Sequence, residues 1–359
     1  MKANRVLKVP MTSPEDTAGV EAALAAEGFS PTDVRAVMCM TESDGFGRGY
    51  ASLAFAHAFA PALGCPPQDV AQQIPLIMIG GCSGLVTPYA AVFVDDPASA
   101  WVTDGSGGGL SIGVTTTATL DPLDVGTPAM VDAVADAVRS AMADAGIDDV
   151  ADVHNVQIKT PWPSSSALLN GPLSGLEAGS VGAMARAAGA LGVAVALGEV
   201  SRADITADVF LRDPNLRSDV ASVSAGTERV DAAVLVMGNS LTSASPYRIG
   251  HGVLRDGIDP HGVLDALRAV GIDSGWPFTA DTTPVEHVFL KSAVDGTDEC
   301  RGRRHVLRTD YLGPYSWLLG KAVVHATVAS IVGDPMMQVS GGGEHQGPPG
   351  GGTVAVIAR

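Results

Sequence analysis

This sequence has few aromatic residues, few basic residues and few cysteines. Only 5% of its 359 residues are Phe, Trp or Tyr, against 43 glycines, so its core must be built mainly from Ala, Val, Leu and Ile. Lys and Arg number 22 against 39 Asp and Glu, which gives a formal net charge of −17. Because nucleic-acid binding requires a basic face, this balance argues against a nucleic-acid partner.

The cysteines and the apolar segments point to a cytoplasmic protein. Neither C-x-x-C spacing nor a partnering His cluster accompanies the four cysteines, Cys39, Cys65, Cys82 and Cys300, so we interpret them as reduced thiols. The N-terminus has no continuous apolar segment of the kind found in signal peptides. The most apolar stretch, VAVALGEV at 193–200, is too short to span a bilayer. We therefore expect no membrane partner.

An Ala-rich helix that ends at Gly, followed by a β-branched strand, occurs three times. The helices are VEAALAAEGF, VADAVRSAMADAGI and VLDALRAVGI, and the strands that follow them end at Met40, Lys159 and Lys291. Further along each copy, a second apolar strand ends at Ile79, Ser240 and Ser340. Such self-similarity indicates a repeat architecture. Two copies therefore carry Lys and Ser where one copy carries Met and Ile.

The repeats divide the chain into three units, each long enough to hold its own core. We predict repeat A over 1–102, a Gly-rich linker over 103–111, repeat B over 112–250 and repeat C over 251–359. Each repeat reads as strand, helix, strand, helix, strand. The linker TDGSGGGLS has too much Gly and Ser for a helix or a central strand. A phosphate-binding loop is the alternative, but the Lys-Ser/Thr ending of a Walker A loop is absent.

Each repeat also has a basic residue near the start of its second helix, which is otherwise almost wholly apolar. These residues are Arg48, Arg186 and Lys321. Their repetition predicts a cationic pocket, whereas the alternative is three side chains that reach solvent from helix ends. The glycine pairs Gly80–Gly81 and Gly341–Gly342 follow two of the strand ends, where a missing Cβ lets the backbone approach a ligand.

A Lys and a Ser at strand ends suggest nucleophilic catalysis on an amide. A serine hydroxyl is a weak nucleophile until a base takes its proton, and a lysine can be that base when burial and nearby cations lower its pKa. Backbone N–H groups of the glycine pairs would hold the oxyanion. A single Lys or Ser at a strand end is more often a solvated or turn residue, so the hypothesis depends on the repetition.

The C-terminal segment SGGGEHQGPPGGGTVAVIA, residues 340–358, resembles the S-G-G-A-E-H-Q-G-P-P-G-G-G signature of the cyanuric acid hydrolase and barbiturase family. Further similarities are QIK at 157–159, RGRRH at 301–305, GRGYA at 47–51, MGNS at 237–240 and GG-x-x-G at 80–84. The resemblance implies an α/β (α+β) fold of three similar repeats around a pseudo-threefold axis, each a β-sheet with helices on one face. It also implies ring-opening hydrolysis of small cyclic amides, and assembly as a homotetramer.

The same resemblance assigns the site. It implies Ser240 as the nucleophile and Lys159 as its base, and leaves open which Lys–Ser pair attacks. The implied substrate-binding residues are Arg48, Arg186, Lys291, Lys321, Ser340, Gly80, Gly81, Gly341, Gly342, Met40 and Ile79. No cofactor is required for the chemistry, but the resemblance allows a structural Mg²⁺ or Ca²⁺ near the C-terminal signature. Its ligands would be the backbone carbonyls of Gly343, Gln346, Pro349 and Gly350.

Two departures from the family pattern bear on these implications. The acidic residue associated with the metal is missing from Lys291-Ser292-Ala293, and Asp295 or Glu299 would have to replace it. Met40 and Ile79 stand where the family has Lys and Ser. Losing one partner alone would leave a buried polar group unpaired at about 1–3 kcal/mol, or more for a charge, whereas losing both gives an apolar contact.

We therefore expect a cyclic imide or ureide hydrolase whose substrate presents an apolar edge to Met40 and Ile79, unlike cyanuric acid. The alternatives are an ordinary barbiturase or cyanuric acid hydrolase, and a non-catalytic relative that binds a small molecule. A metallohydrolase is less favoured, because the eight histidines show no H-x-H or H-E-x-x-H spacing.

Overall fold

Three four-stranded sheets make up the protein. The structure is a computed structural model that describes residues 3–42, 46–96, 108–163, 178–273 and 280–359. The first sheet and its helices comprise β1 (Asn4–Pro10), α1 (Ala18–Ala26), β2 (Val34–Thr41), α2 (Gly47–Leu63), α3 (Val70–Gln73), β3 (Leu76–Gly80) and β4 (Tyr89–Asp95). Its strand order is β1-β4-β2-β3, with β2 and β3 parallel and the other neighbours antiparallel.

The second and third sheets repeat this topology. The second unit comprises β5 (Gly109–Thr116), α4 (Pro128–Ala145), β6 (Val153–Pro161), α5 (Ala178–Ala196), β7 (Ala221–Gly226) and β8 (Ala233–Ser240), in the order β5-β8-β6-β7. The third comprises β9 (Arg248–Leu254), α6 (Pro260–Ala269), β10 (Val285–Ser292), the short pair β11 (Glu299–Cys300) and β12 (Arg303–Arg304), α7 (Ser316–Val332), β13 (Gln338–Ser340) and β14 (Gly352–Ala358). Its order is β9-β14-β10-β13. The predicted α/β fold of three similar repeats is confirmed.

The structure also differs from the predicted pattern in detail. Each repeat has four strands where three were predicted: β4 and β14 are additional in the first and third repeats, and β7 is additional in the second. Strands β4, β8 and β14 pair antiparallel to the strands that carry Met40, Lys159 and Lys291. Strand β9 begins at Arg248 and belongs to the third sheet, so that sheet starts before residue 251. Strand β5 begins at Gly109, inside the predicted linker, while 103–107 of that linker lie outside the described residues.

Local sequence explains where the long helices stop. Gly64, Gly146 and Gly333 follow α2, α4 and α7, respectively, with φ between 64° and 77°. Only glycine adopts this left-handed conformation without a steric cost, so it ends a helix cleanly. Helix α4 also begins with a proline, Pro128, whose missing N–H costs nothing in the first turn.

Alternation along the strands creates one shared core and one end where the sheets meet. On β2, Val37 and Cys39 pack toward the helices of the first unit, whereas Met38 and Met40 face a central core. That core takes side chains from all three sheets, including Met237 and Phe289. In each repeat, the last residue of the strand face that points toward this core therefore lies near its counterparts in the other two repeats.

One segment of the described chain, Gly313–Val332, is long and apolar enough to cross a membrane by length and composition alone. The core helix of a folded protein meets the same criterion. In α7, Lys321, Val324 and Val328 are completely buried against the rest of the protein. One face of α7 therefore packs in the core of the protein.

Candidate active site

A cavity of about 470 Å³ opens where the three sheets meet. Its lining comes from every repeat, and includes Arg48 and Ile79 of the first, Lys159 and Arg186 of the second, and Ser340 of the third. The predicted glycines Gly80, Gly81, Gly341 and Gly342 line it as well. A larger, shallower depression of about 710 Å³ beside His251 shares no lining residue with it. The cavity at the sheet junction is the candidate active site.

Strand register defines three equivalent pairs of residues at this cavity. In each repeat two parallel strands lie side by side, and the paired residues are Met40 with Ile79, Lys159 with Ser224, and Lys291 with Ser340. We call these pairs the first, second and third vertex. The serine of the second vertex is therefore Ser224, a residue that the sequence analysis did not single out.

The expectation that Ser240 meets Lys159 is wrong. On the antiparallel strand β8, the residue beside Lys159 is Ala233, and Ser240 lies seven residues further along. At roughly 3.3 Å per residue the separation is about 23 Å. The Ser240 hydroxyl instead donates to the carbonyl of Gly146, at the end of α4, at 2.6 Å. Ser240 therefore belongs to the opposite end of the sheet.

A sequence signal for Ser224 did exist. Ile79 and Ser340 are each followed by two glycines, and Ser224 is followed by Ala225 and Gly226, whereas Leu and Thr follow Ser240. Strand β7, ASVSAG, was missed because it is short and built from small residues. The serine of the second repeat was instead assigned to the apolar run VLVMGNS. This run forms β8, the counterpart of β4 and β14.

The two vertex lysines each connect two repeats. The ammonium of Lys159 donates to the carbonyl of Met78, which precedes Ile79 of the first repeat, at 2.6 Å. In the same way, Lys291 donates to the carbonyl of Val223, which precedes Ser224, at 2.6 Å. Each lysine thus reaches back to the vertex of the preceding repeat. Ser224 consequently lies between its register partner Lys159 and the neighbouring Lys291.

The two vertex serines differ in their hydrogen bonding. The hydroxyl of Ser340 accepts a hydrogen bond from Lys291 at 3.0 Å, and Lys291 also donates to the Gly341 carbonyl at 2.8 Å. The hydroxyl oxygen of Ser224 is buried and has no hydrogen-bond partner among the described residues. An unused buried hydroxyl in a cavity wall is unusual, and it is available to a bound molecule.

Burial strongly affects both lysines. Burial lowers the pKa of Lys159 to about 8; the carboxylate of Glu228, at 2.9 Å from the ammonium, opposes the shift, and Arg48 adds to it. Burial and the charge of Arg186 lower the pKa of Lys291 well below its usual value. Both lysines can therefore lose their proton far more easily than a solvated lysine.

Of the three helix cations, Arg48 and Arg186 line the cavity, and Lys321 is buried behind two of its lining glycines. Arg48 donates to the carbonyl of Ala225 at 2.9 Å, and Lys321 donates to the carbonyls of Gly80 at 3.2 Å and Gly81 at 2.5 Å. Arg186 forms a bidentate pair with Glu344, with N–O distances of 2.8 and 2.6 Å. Each cation thus contacts the loop that follows a vertex residue of the next repeat.

Several cavity residues were not predicted as part of the site. They are Glu42, Trp162, Trp317, Glu344 and Asp295, which sequence reasoning considered only as a metal ligand. Burial and the nearby Glu344 raise the pKa of Asp295, while Arg186 overcomes the effect of burial on Glu344 and lowers its pKa. The cavity therefore contains both basic and acidic side chains, whereas the repeated sequence pattern predicted only the basic ones.

The first vertex is apolar. Met40 and Ile79 are 1% and 4% exposed and pack in the central core, and Ile79 also lines the cavity. Glu42 lies just beyond Met40, and its Oε2 atom is buried with no hydrogen-bond partner among the described residues. Among the described residues, the first vertex itself has no side-chain hydrogen-bond donor equivalent to Lys159 or Lys291.

The residues of the C-terminal signature do not fit a Mg²⁺ or Ca²⁺ ion. Such ions prefer carboxylates among their oxygen ligands, yet Ala293 stands where the acidic residue is expected, and a Cβ on Gly343 would lie 2.5 Å from its methyl group. The Gly343 carbonyl already accepts from the Gln346 N–H at 3.0 Å. The side-chain Oε1 of Gln346 accepts from the Val223 N–H at 2.6 Å. The described residues include no cluster of three His, Cys, Asp or Glu suited to a metal.

Comparison with known proteins agrees with this geometry. A family model described as amidohydrolase ring-opening protein matches residues 5–359. A cyclic amide hydrolase of Rhodococcus sp. is 97% identical over 349 residues, which cover 97% of this chain and 100% of the relative. A cyanuric acid amidohydrolase of Enterobacter cloacae is 40% identical over 99% of both chains. Barbiturase 2 of Nocardioides sp. is 36% identical over 98% of this chain and 97% of its own length.

A solved structure supports the same relationship across the whole chain. It is a cyanuric acid hydrolase described as an evolutionary innovation by structural concatenation, with a TM-score of 0.92 and 34% identity. The match covers 100% of both chains. The chain therefore belongs to the ring-opening amidohydrolases, enzymes of the cyanuric acid hydrolase and barbiturase family that hydrolyse cyclic amides.

Proposed function

We propose that this enzyme opens a small cyclic imide or ureide with Ser224 as the nucleophile and Lys159 as the base. Neutral Lys159 takes the hydroxyl proton while Ser224 Oγ bonds to a ring carbonyl carbon. The ring C–N bond then breaks, its electron pair stays on nitrogen, and the Lys159 ammonium supplies the proton. Water, deprotonated by Lys159, finally attacks the ester carbonyl; the ester C–O bond breaks, Lys159 returns the proton to Ser224 Oγ, and a ring-opened carboxylate is released.

The observation that carries this proposal is the position of Ser224. Its buried hydroxyl has no protein partner among the described residues, and it lies between Lys159, its register partner, and Lys291, which donates to the adjacent carbonyl of Val223. Ser340 has a lysine in its own vertex, but the residue of the next repeat in the cycle, which would reach back to it, is the apolar Met40. Ser224 is thus the vertex serine with a lysine on both sides.

The remaining polar groups suit a binding role. Ser340 and Lys291 would anchor a second ring carbonyl, since their hydrogen bond at 3.0 Å holds both groups in place. Arg48 contacts the carbonyl of Ala225, next to Ser224, and would stabilise the oxyanion that forms on the attacked carbonyl. Lys321 and Arg186 add positive charge for a ring that is acidic or anionic.

The first vertex would set the substrate. Because Met40 and Ile79 cannot hydrogen-bond, the ring edge beside them is expected to be methylene, alkyl or otherwise apolar rather than a third carbonyl. The second candidate is ordinary barbiturase or cyanuric acid hydrolase activity, which the names of the 36–40% identical relatives favour. Relative kcat/KM values for dihydrouracil, barbituric acid and cyanuric acid separate the two, and best turnover of cyanuric acid would contradict the apolar-edge specificity.

The decisive test compares two serines of the same repeat. Turnover of these three rings by Ser224→Ala should fall by about 10³-fold or more, since the nucleophile is removed and only binding and electrostatic effects remain. Ser240→Ala, at the far end of the sheet, is the matched control and should retain nearly full kcat. Mass spectrometry of the quenched wild-type enzyme should also show an acyl group on the peptide that contains Ser224. Full activity of Ser224→Ala would refute the mechanism.

We also propose that the protein is a cytoplasmic homotetramer. This rests on the family resemblance and on the four cysteines, none of which forms a disulfide within the described part of the chain. Light scattering on the purified protein measures the assembly directly, and a monomeric mass would contradict the proposal.

A further inference from the structure

We propose that Glu228 is a positioning residue that completes a Ser224–Lys159–Glu228 triad by stabilising the ammonium that Lys159 becomes when it takes the proton from Ser224. The inference rests on the proposed function, because it assigns a partner to the base of that mechanism. Glu228 would touch neither the substrate nor the reacting carbonyl. It would act only through the ammonium of Lys159.

The geometry around the Lys159 ammonium is the first argument. Its nitrogen lies 2.9 Å from Glu228 Oε1, 2.6 Å from the Met78 carbonyl oxygen and 3.5 Å from the Ala225 carbonyl oxygen. The side chains of Lys159 and Glu228 are 0% and 12% exposed. Glu228 thus supplies the carboxylate within ion-pair distance of a completely buried lysine.

The backbone makes room for this carboxylate. Glu228 follows β7 by two residues, and a Cβ at Gly226 would lie 2.1 Å from Glu228 Oε2 and 2.3 Å from Oε1. Any side chain at position 226 would therefore displace the carboxylate from Lys159. The glycine after the vertex serine is needed in this repeat so that Glu228 can fold back onto the site.

Comparison of the repeats is the second argument. Glu228 stands four residues after Ser224, Glu344 four residues after Ser340, and Ser83 four residues after Ile79. Glu344 forms its ion pair with Arg186, and Ser83 donates to the Leu318 carbonyl at 3.0 Å. In the second repeat, by contrast, this position forms an ion pair with the lysine of its own vertex.

The electrostatics explain why a carboxylate at position 228 would help the reaction. A buried ammonium is costly, so burial alone makes Lys159 a poor holder of the Ser224 proton, and the neighbouring Arg48 and Arg229 work in the same direction. Glu228 opposes both effects. Burial raises the pKa of Glu228, but the charges of Lys159 and Arg48 outweigh this and keep it ionised. The ammonium that forms during attack is therefore stabilised where it appears, as a third group does in catalytic triads.

The test measures the protonation of each lysine directly, so it does not depend on finding the natural substrate. Trace acetylation with acetic anhydride is followed from pH 5 to 11, and mass spectrometry gives the labelling midpoint for the peptides containing Lys159 and Lys291. In Glu228→Gln the midpoint of Lys159 should fall by about one to three pH units, since a charge at this distance shifts a pKa by that amount. The midpoint of Lys291 should stay in place.

Glu344→Gln is the matched control, because it removes the carboxylate at the corresponding position of the third repeat. There the midpoint of Lys291 should move and that of Lys159 should not. Glu228→Asp keeps the charge on a shorter side chain and should restore part of the shift. An unchanged Lys159 midpoint in Glu228→Gln, or an equal shift in Glu344→Gln, would overturn the inference.

Turnover separates this inference from the proposed mechanism. The rising limb of kcat against pH should move down with the Lys159 midpoint in Glu228→Gln, with a plateau lowered about 10- to 100-fold. A purely structural role would lower kcat at every pH and leave the limb in place. If Ser224→Ala keeps full activity while the Lys159 midpoint still shifts, the mechanism fails and the pairing of Glu228 with Lys159 stands.

Discussion

The first and second vertices occupy equivalent strand positions and have opposite character. Lys159 and Ser224 are polar, and Glu228 follows at a fixed spacing, whereas the first vertex has Met40, Ile79 and Ser83 at the same three places. A buried lysine without its partners would cost several kcal/mol, so a polar set of this kind is hard to lose one member at a time. The first repeat lacks the whole set, which is consistent with a change of role from chemistry to shape.

The third vertex is intermediate between these two. It keeps Lys291 and Ser340, but the glutamate that follows them pairs with Arg186 of the second repeat. Its serine is already hydrogen-bonded, while the hydroxyl of Ser224 has no such partner among the described residues. The three vertices therefore divide the proposed work into attack, anchoring and selection.

The largest expected effect comes from exchanging each lysine for the methionine that the first vertex already carries. Lys159→Met should lower kcat by about 10²- to 10⁴-fold, which is the usual contribution of a general base. Lys291→Met should mainly raise KM, since it removes an anchoring group. In the wild-type enzyme, activity should rise with pH through about 8, because Lys159 must be neutral to accept the Ser224 proton.

Steady-state kinetics from pH 6 to 10 on barbituric acid and dihydrouracil measure the effects of both lysine variants and the pH dependence of the wild-type enzyme. Circular dichroism of the two variants shows whether each is folded, and Met40 indicates that this fold accommodates methionine at the position. A greater loss of kcat in Lys291→Met than in Lys159→Met would assign the chemistry to the third vertex instead.

The comparison also shows how far sequence reasoning can reach. Gly-ended helices and alternating strands are local patterns, so the three repeats, Lys159, Lys291 and Ser340 could be found from sequence. The pairing of β6 with β7 is a contact between distant segments, and β7 is too poor in large apolar residues to stand out, so Ser224 was passed over for Ser240. Glu228 and Glu344 reach the site only through the geometry of the loops that follow the strands, which no periodicity encodes.

A smaller effect is expected from restoring the polar pair in the first vertex. Ile79→Ser alone should cost about 1–3 kcal/mol through an unpaired hydroxyl, and Met40→Lys alone should cost more through a buried charge. The double variant should be more stable than the sum of the two costs predicts, by about 0.5–3 kcal/mol, since each residue satisfies the other. Urea unfolding of all four proteins measures this coupling.

The same double variant tests the selection role of the first vertex. The ratio of kcat/KM for cyanuric acid to that for dihydrouracil should rise about tenfold or more, because a third ring carbonyl would gain a donor. Additive stability costs together with an unchanged ratio would show that Met40 and Ile79 neither form a unit nor select the substrate.

The smallest expected effect is that of a chelator. Because Ala293 occupies the place of the acidic ligand and packs against Gly343, EDTA should change neither the thermal midpoint nor kcat. A resident ion at a hundred times its dissociation constant would contribute about 2.7 kcal/mol, a loss that thermal unfolding detects readily. Ala293→Glu sharpens the result, since a carboxylate at this position would complete an oxygen ligand set with the carbonyls of the C-terminal signature. Stabilisation of that variant by Mg²⁺, with no response in the parent protein, would show that a single side chain decides whether this loop binds an ion. Loss of activity of the unsubstituted enzyme on chelation would instead show that it requires a metal ion.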